Sequence, residues 1–199
     1  MCNKFNDKRE SHPLMPFIFL DVRVMMLGSF PPAQSKWTME FYYPNFQNDM
    51  WRIFGLVFFD DKDYFIAEDG KSFNLNLLQS TLIDKRIGVG DTAKKVIRLK
   101  NNASDKYLKI VEPLNIVALL DKLPHCRTFI TTGDKATETL RLQFSDTIKH
   151  PRTGESVSFN YNGQEFKLYR MPSSSRAYPM ALKKKAELYK KCFKDIGLL

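Results

Sequence analysis

A run of apolar residues at positions 22–27 stops against Gly28-Ser29-Phe30-Pro31-Pro32. So short a run, closed by a glycine and two prolines, reads as a buried strand emptying into a loop. The arrangement recurs along the chain. Ile87-Gly88-Val89-Gly90-Asp91 reads as a short strand or its exit. Residues 127–131 read as a strand followed by a turn at Gly133, and residues 166–171 as a strand closed by Pro172 and three serines.

Helical signals fall between these runs. Asn45 is a suitable N-cap for a segment carrying Met50, Trp51 and Phe54 on neighbouring turns, with Gly55 placed to end it. Residues 75–84 read as a second helix. Pro113, at a first-turn position, opens an apolar helix over 114–123. Gly133 turns into a helix with Ala136 and Leu140, and Asn162-Gly163 marks a hairpin leading into the strand at 166–171. In the last helix Leu182, Ala186, Tyr189, Phe193 and Ile196 recur at spacings of four and three, while Lys183, Lys184, Lys190, Lys191 and Lys194 fall elsewhere on its surface.

Strands alternating with helices predict an α/β chain, a three-layer αβα sandwich around a short, mostly parallel sheet. With no internal repeat, low-complexity stretch or linker, the reading is one domain over residues 1–199. In such folds a ligand sits outside the carboxyl ends of the strands, so the loops after Leu27 and Met171 are the places to look for chemistry.

Charge narrows the partner. The formal net charge is +9, which suits a polyanion such as nucleic acid or an anionic membrane but decides neither fold nor chemistry. Cys2, Cys126 and Cys192 form no CxxC pair and are too few to hold an iron–sulfur cluster, while His12, His125 and His150 have no metal-like spacing. No metal and no cofactor are expected. The first thirteen residues are polar and mixed in charge, and no apolar run approaches a membrane span. The expectation is a cytoplasmic monomer that does not enter membranes.

Two clusters carry the chemistry. The first is Leu27-Gly28-Ser29-Phe30-Pro31-Pro32, followed by Phe41-Tyr42-Tyr43-Pro44-Asn45-Phe46-Gln47-Asn48-Asp49-Met50-Trp51; the second is Met171-Pro172-Ser173-Ser174-Ser175-Arg176-Ala177-Tyr178-Pro179. In order and spacing they resemble the two signature motifs of the uracil-DNA glycosylase superfamily. They are most similar to those of its hypoxanthine-DNA glycosylase and mismatch-specific branches, where a GSxP loop leads to a YY…N…W segment. The likeness extends through Ile87–Asp91 and the strand–Gly–x–x–Ala turn ending at Ala136, covering roughly residues 24–179.

The resemblance implies an enzyme that flips a deaminated base out of DNA and hydrolyses its N-glycosidic bond. Breaking that bond builds positive charge on the sugar and negative charge on the departing base, and water must attack the sugar carbon. A flipped base also needs a stacking face, polar groups for its edge and donors for the flanking phosphates.

On the matching positions, Tyr43 is the stacking aromatic, a contact worth about 1–3 kcal/mol per base. Asn48 is the catalytic asparagine whose amide holds the attacking water; as a helix cap it would have an equally ordinary structural explanation. Ser29 stands where other branches place an acidic or amide residue and takes a secondary polar role, with Gly28, Phe30 and Asp91 lining the base site. Met171 replaces the histidine with which uracil-specific branches stabilise the uracil oxyanion, and a thioether cannot donate that hydrogen bond. Hypoxanthine is therefore placed ahead of uracil. Ser173, Ser174, Ser175 and Arg176 supply phosphate contacts near the start of the last helix, where the serines also suit an ST-turn.

The chain departs from the pattern in two places. No leucine near Ser175 fills the gap left by a flipped base, with Arg176 or Tyr178 as substitutes, and Thr132 stands where the nearest branch often has asparagine. These departures keep open a second reading, a superfamily member that binds nucleic acid without efficient excision. A serine hydrolase using Ser29 or Ser174 ranks below both because the chain contains no GxSxG elbow.

Overall fold

A computed structural model of the chain describes residues 9–99 and 105–199; Cys2 lies outside them. The strands are β1 (Arg9–Ser11), β2 (Val24–Gly28), β3 (Ile87–Asp91), β4 (Ala93–Arg98), β5 (Leu108–Pro113), β6 (Thr128–Thr132), β7 (Glu155–Tyr161) and β8 (Gln164–Met171). The helices are α1 (Met50–Phe59), α2 (Leu75–Asp84), α3 (Ile116–Leu120), α4 (Asp134–Arg141) and α5 (Leu182–Asp195).

Five strands form the central sheet in the order β3-β2-β6-β8-β7, all parallel except the edge strand β7. Every residue of β2 is buried, because a central parallel strand is covered on both faces; the edge strand β3 is buried as well, its outer side covered by Phe17, whose backbone exchanges hydrogen bonds with Val89 at 2.8 and 3.0 Å. The period-two alternation sorts the side chains. Val24, Met26, Ile130, Tyr169 and Met171 pack with α1, α2 and α5, while Met25, Leu27, Phe129 and Leu168 pack with α3 and α4. The two apolar clusters are the outer faces of one sheet, as the expected αβα sandwich requires.

Register brings the carboxyl ends together. Gly28 pairs with Asp91 across β2 and β3, and Thr132 pairs with Met171 across β6 and β8. From β2 the chain crosses to β3 on one side, whereas β6 and β8 lie on the other, so a crevice opens beyond Gly28 and Thr132.

Several sequence expectations need correction. Asn45 does not cap α1, since its Oδ1 accepts from the Gln47 N–H in a local turn at 2.8 Å. The N-cap position belongs to Asp49, whose side chain makes no capping bond, and Gly55 lies inside the helix. Gly55 is there for clearance, because a Cβ at that position would stand 2.2 Å from the Asp61 carbonyl oxygen. The helix ends at Asp60, which adopts the left-handed conformation (φ 57°).

Pro113 does not open a helix. It ends β5 opposite Ala93, and α3 begins at Ile116 behind Asn115, whose side chain accepts from Ala118 N–H at 2.9 Å. An edge strand tolerates a proline because no ladder bond is needed there.

The segment around it holds a second sheet that the sequence reading did not anticipate, the antiparallel order β1-β4-β5. Its alternation is interrupted by register shifts between β4 and β5 near Lys95, and its small core of Ala93, Val96 and Leu108 is completed by Phe30 and Ile110. The other elements fall where expected. The Asn162-Gly163 hairpin has both residues at positive φ (49° and 74°), as a type I′ turn demands.

Candidate active site

Among the described residues, a cleft of about 730 Å³ opens at the carboxyl ends of β2, β6 and β8. It is lined by Gly28, Ser29, Phe30, Tyr43, Asn48, Asp91, Thr132, Met171, Ser173, Ser174, Ser175 and Arg176. All eleven residues named from the sequence therefore border one cavity, together with Thr132. Asp105 and Arg170, which the sequence reading passed over, border it as well.

The first wall comes from β2. Thr92 N–H and Oγ–H both donate to the Gly28 carbonyl, at 2.8 and 3.1 Å, and Ala93 N–H donates to that of Ser29 at 3.2 Å. The chain thus turns from the central sheet into the small one against the Gly28-Ser29 backbone. Gly28 is required by close approach, since a Cβ there would stand 2.3 Å from Asp91 Oδ1 and 3.6 Å from the Tyr43 hydroxyl. Asp91 Oδ2 meets His12 Nε2 at 2.9 Å, and the carboxylate is nearly buried.

Ser29 Oγ donates to Asp105 Oδ1 at 2.5 Å. Burial, reinforced by Asp91, raises the Asp105 carboxyl above its ordinary value, although the Ser29 hydrogen bond pulls the other way. Phe30 faces the cleft and the small sheet at once, with His12 edge-on at 5.2 Å and the Arg98 guanidinium 5.4 Å from its ring.

The second wall comes from the aromatic segment. Phe41 and Tyr42 are buried, and Tyr42 O accepts from Trp51 Nε1 at 3.1 Å. Tyr43 differs because its backbone is left-handed (φ 51°), a conformation costing a residue with a Cβ about 1–2 kcal/mol. Its ring lies edge-on to Trp51 at 5.7 Å, and its hydroxyl sits 3.3 Å from Thr132 Oγ1. Burial and the nearby Asp91 raise the phenol well above its ordinary range, so it remains a neutral hydroxyl.

Asn48 is held from two directions. Its N–H donates to Asn45 O at 2.7 Å, and its own carbonyl accepts from Arg52 at 3.3 Å. The side-chain Oδ1 accepts from Met50 N–H at 2.9 Å. Asn48 thus does the work of a cap although Asp49 occupies the N-cap position, because the Asp49 carboxylate is engaged elsewhere.

Asp49 Oδ2 takes the Lys185 ammonium at 3.0 Å, and Oδ1 takes Arg176 Nε at 3.0 Å. Lys185 is fully buried and also donates to Ser175 O at 2.8 Å. It occupies the apolar stripe of α5, four positions before Tyr189, a spacing visible in the sequence although the sequence reading did not name this residue.

The serine loop is tied down by these bonds rather than by the start of α5, whose N-cap is Ala181. Ser173 Oγ accepts from Ser175 N–H and Ser175 Oγ from Ala177 N–H, each at 3.2 Å. Ser174 is buried, and its carbonyl accepts from Asp49 N–H at 2.9 Å. Met171 is fully buried. Arg176 is exposed and reaches Gln47 Oε1 at 2.5 Å.

The floor of the cleft thus joins an aromatic face, an amide, a hydroxyl–carboxylate pair and a loop of serines at the ends of parallel strands. The fold is that of a known class of α/β protein. It superposes on the solution NMR structure of a "putative Uracil DNA glycosylase" from Methanosarcina acetivorans with a TM-score of 0.63, at 21% identity over 94% of this chain and 97% of that one. No protein-family model matches the chain, and neither does any curated protein. No helix among the described residues is long and apolar enough to cross a membrane.

Proposed function

We propose that the chain is a monofunctional DNA glycosylase that draws a deaminated base into this cleft and hydrolyses its N-glycosidic bond, with hypoxanthine preferred to uracil. The observation that carries the reading is the convergence of Ser29, Tyr43, Asn48 and Met171, distant in sequence, on one cavity at the carboxyl ends of the sheet. Similarity of fold to a protein described as a "putative Uracil DNA glycosylase" supports it.

In this reading Tyr43 stacks on the flipped base, and its hydroxyl with Thr132 offers polar contacts to the base edge. The Asn48 amide orients the attacking water. Met171 closes the pocket without donating to a developing oxyanion, which disfavours uracil. The serine loop and Arg176 hold the flanking phosphates, and the +9 net charge draws the protein to DNA.

The test is a panel of oligonucleotides carrying uracil, hypoxanthine, xanthine or a thymine mismatch, read for alkali-labile abasic sites. Cleavage greatest at hypoxanthine is expected, with affinity falling steeply as salt rises because bound counterions are released. DNA binding without any abasic product would replace this reading with that of a non-excising nucleic-acid-binding protein.

A further inference from the structure

We propose that Asp105, held by Ser29 at the mouth of the β4–β5 hairpin, is the general base that takes the proton from the attacking water. The proposal rests on the glycosylase reading and adds to it a residue that neither signature cluster contains.

Among the residues that the motifs place in the cleft, the one carboxylate is Asp91. The Asn48 amide is not a base, and its Oδ1 already accepts the Met50 N–H. Asp91 lines the cleft, but one of its oxygens is engaged with His12.

Asp105 presents a second carboxylate to the same cleft. It opens the 3-10 turn at Asp105–Tyr107 that leads into β5, and it lines the same cleft as Asn48 and Tyr43. Oδ1 accepts from Ser29 Oγ, which fixes the carboxylate and leaves the Ser29 lone pairs free to accept a hydrogen bond from the water. Oδ2 has no hydrogen-bond partner among the described residues, and it lies 3.8 Å from where a Cβ on Gly133 would stand.

The charged and titratable groups facing Asp105 are Asp91 from β3, Asp134 and Lys135 from the start of α4, and Tyr43. Burial and the two aspartates outweigh the Ser29 hydrogen bond and Lys135 and raise the proton affinity of Asp105. A carboxylate shifted upward is a stronger base once it is ionised.

The step balances. The water oxygen bonds to the sugar carbon as one of its protons passes to Asp105 Oδ2. The carbon–nitrogen bond breaks with its electron pair going to the base, which leaves as an anion and takes a proton from solvent water. Asp105 then releases its proton and is ready for the next turnover.

Single-turnover excision by the full chain is measured against pH on the oligonucleotide that the parental protein cleaves. The parental rate should rise with pH and level off above the ordinary carboxylate range. Asp105→Asn keeps an acceptor for Ser29 but cannot take a proton. It should lose about 10²–10⁴-fold in rate and show a flat pH profile, with unchanged DNA affinity and a cooperative thermal transition. Asp105→Glu should recover part of the rate and the pH dependence.

An Asp105→Asn protein that excises at the parental rate with the parental pH profile overturns the proposal and leaves the glycosylase reading intact. A rate loss with the pH profile retained assigns Asp105 a structural role and also overturns it. A parental protein that releases no base from any oligonucleotide overturns the glycosylase reading and, with it, the proposal.

Discussion

The Lys185 ammonium lies 3.0 Å from Asp49 Oδ2 in a fully buried position, bridging the last helix to the first turn of α1. Its second bond, to Ser175 O, fixes the serine loop to the same point. One buried charge pair thereby sets the spacing between the segment carrying Asn48 and the loop carrying Ser173–Ser175. Removing one member of such a pair leaves the other charged and desolvated, at a cost of about 3–5 kcal/mol. Lys185→Ala should lower stability by that amount in denaturant titration. Arg176→Ala removes a half-exposed partner of the same carboxylate and should cost no more than about 1 kcal/mol. Equal losses for the two variants would refute the assignment of Lys185 as the anchor.

Asn48 combines a cap with a place in the cleft, so its removal should have two separable effects. Asn48→Ala should cost about 0.5–2 kcal/mol of stability through loss of the Met50 hydrogen bond. Single-turnover excision should fall by about 10²-fold or more while DNA binding persists, because only transition-state stabilisation is lost. Asn48→Asp keeps the acceptor and should restore the stability. Parental excision rates in folded Asn48→Ala would remove this residue from the mechanism.

Met171→His should raise uracil excision relative to hypoxanthine excision, because it places a donor where charge develops on the uracil oxygen. The side chain it replaces is wholly buried beside Ile130 and Tyr169, so the imidazole should also cost about 1–3 kcal/mol where it lacks a partner. The check is the ratio of the two activities in folded protein, and an unchanged ratio would count against the place given to Met171.

Asp105 should make stability depend on pH in a direction opposite to that of most carboxylates. Its carboxyl is raised in the folded state, so between the ordinary carboxylate value and the raised one the native protein binds more protons than the unfolded chain. Stability contributed by this group is present below that window and lost as pH rises through it. Asp105→Asn should therefore melt higher than the parental protein above the window, and the gain should vanish in acid. A melting temperature lower than parental at pH 8 would contradict this.

Burial pushes the Cys126 and Cys192 thiols up to about 12. At pH 8 about one thiol in ten thousand is then ionised, and the thiolate is the reactive species. Iodoacetamide should leave both residues unmodified in the native protein and label both in denaturant, as read by peptide mass spectrometry. Rapid native labelling of either would show that its surroundings open.

The strands and their turns were legible in the sequence because their signals are local. A buried strand needs only a short apolar run and a breaker, so the segments ending at Gly28, Asp91 and Met171 could be read off directly. So could the stripe of α5 and the Asn162-Gly163 turn. The motif positions on these strand ends were likewise open to reading, since a parallel sheet brings carboxyl ends together whatever the connections between them.

What the tertiary structure decided depends on pairings across long stretches of chain. The small sheet was missed because the proline at its end imitates a helix start when nothing says that Ala93 lies opposite. Lys185 went unnamed in the sequence reading because its counter-charge comes from Asp49, 136 positions away. Asp105 carried no motif, and only the fold sets it against Ser29, 76 positions earlier. Local propensity governs where a chain extends or coils; the desolvation and pairing of a charge depend on whatever the rest of the chain packs around it.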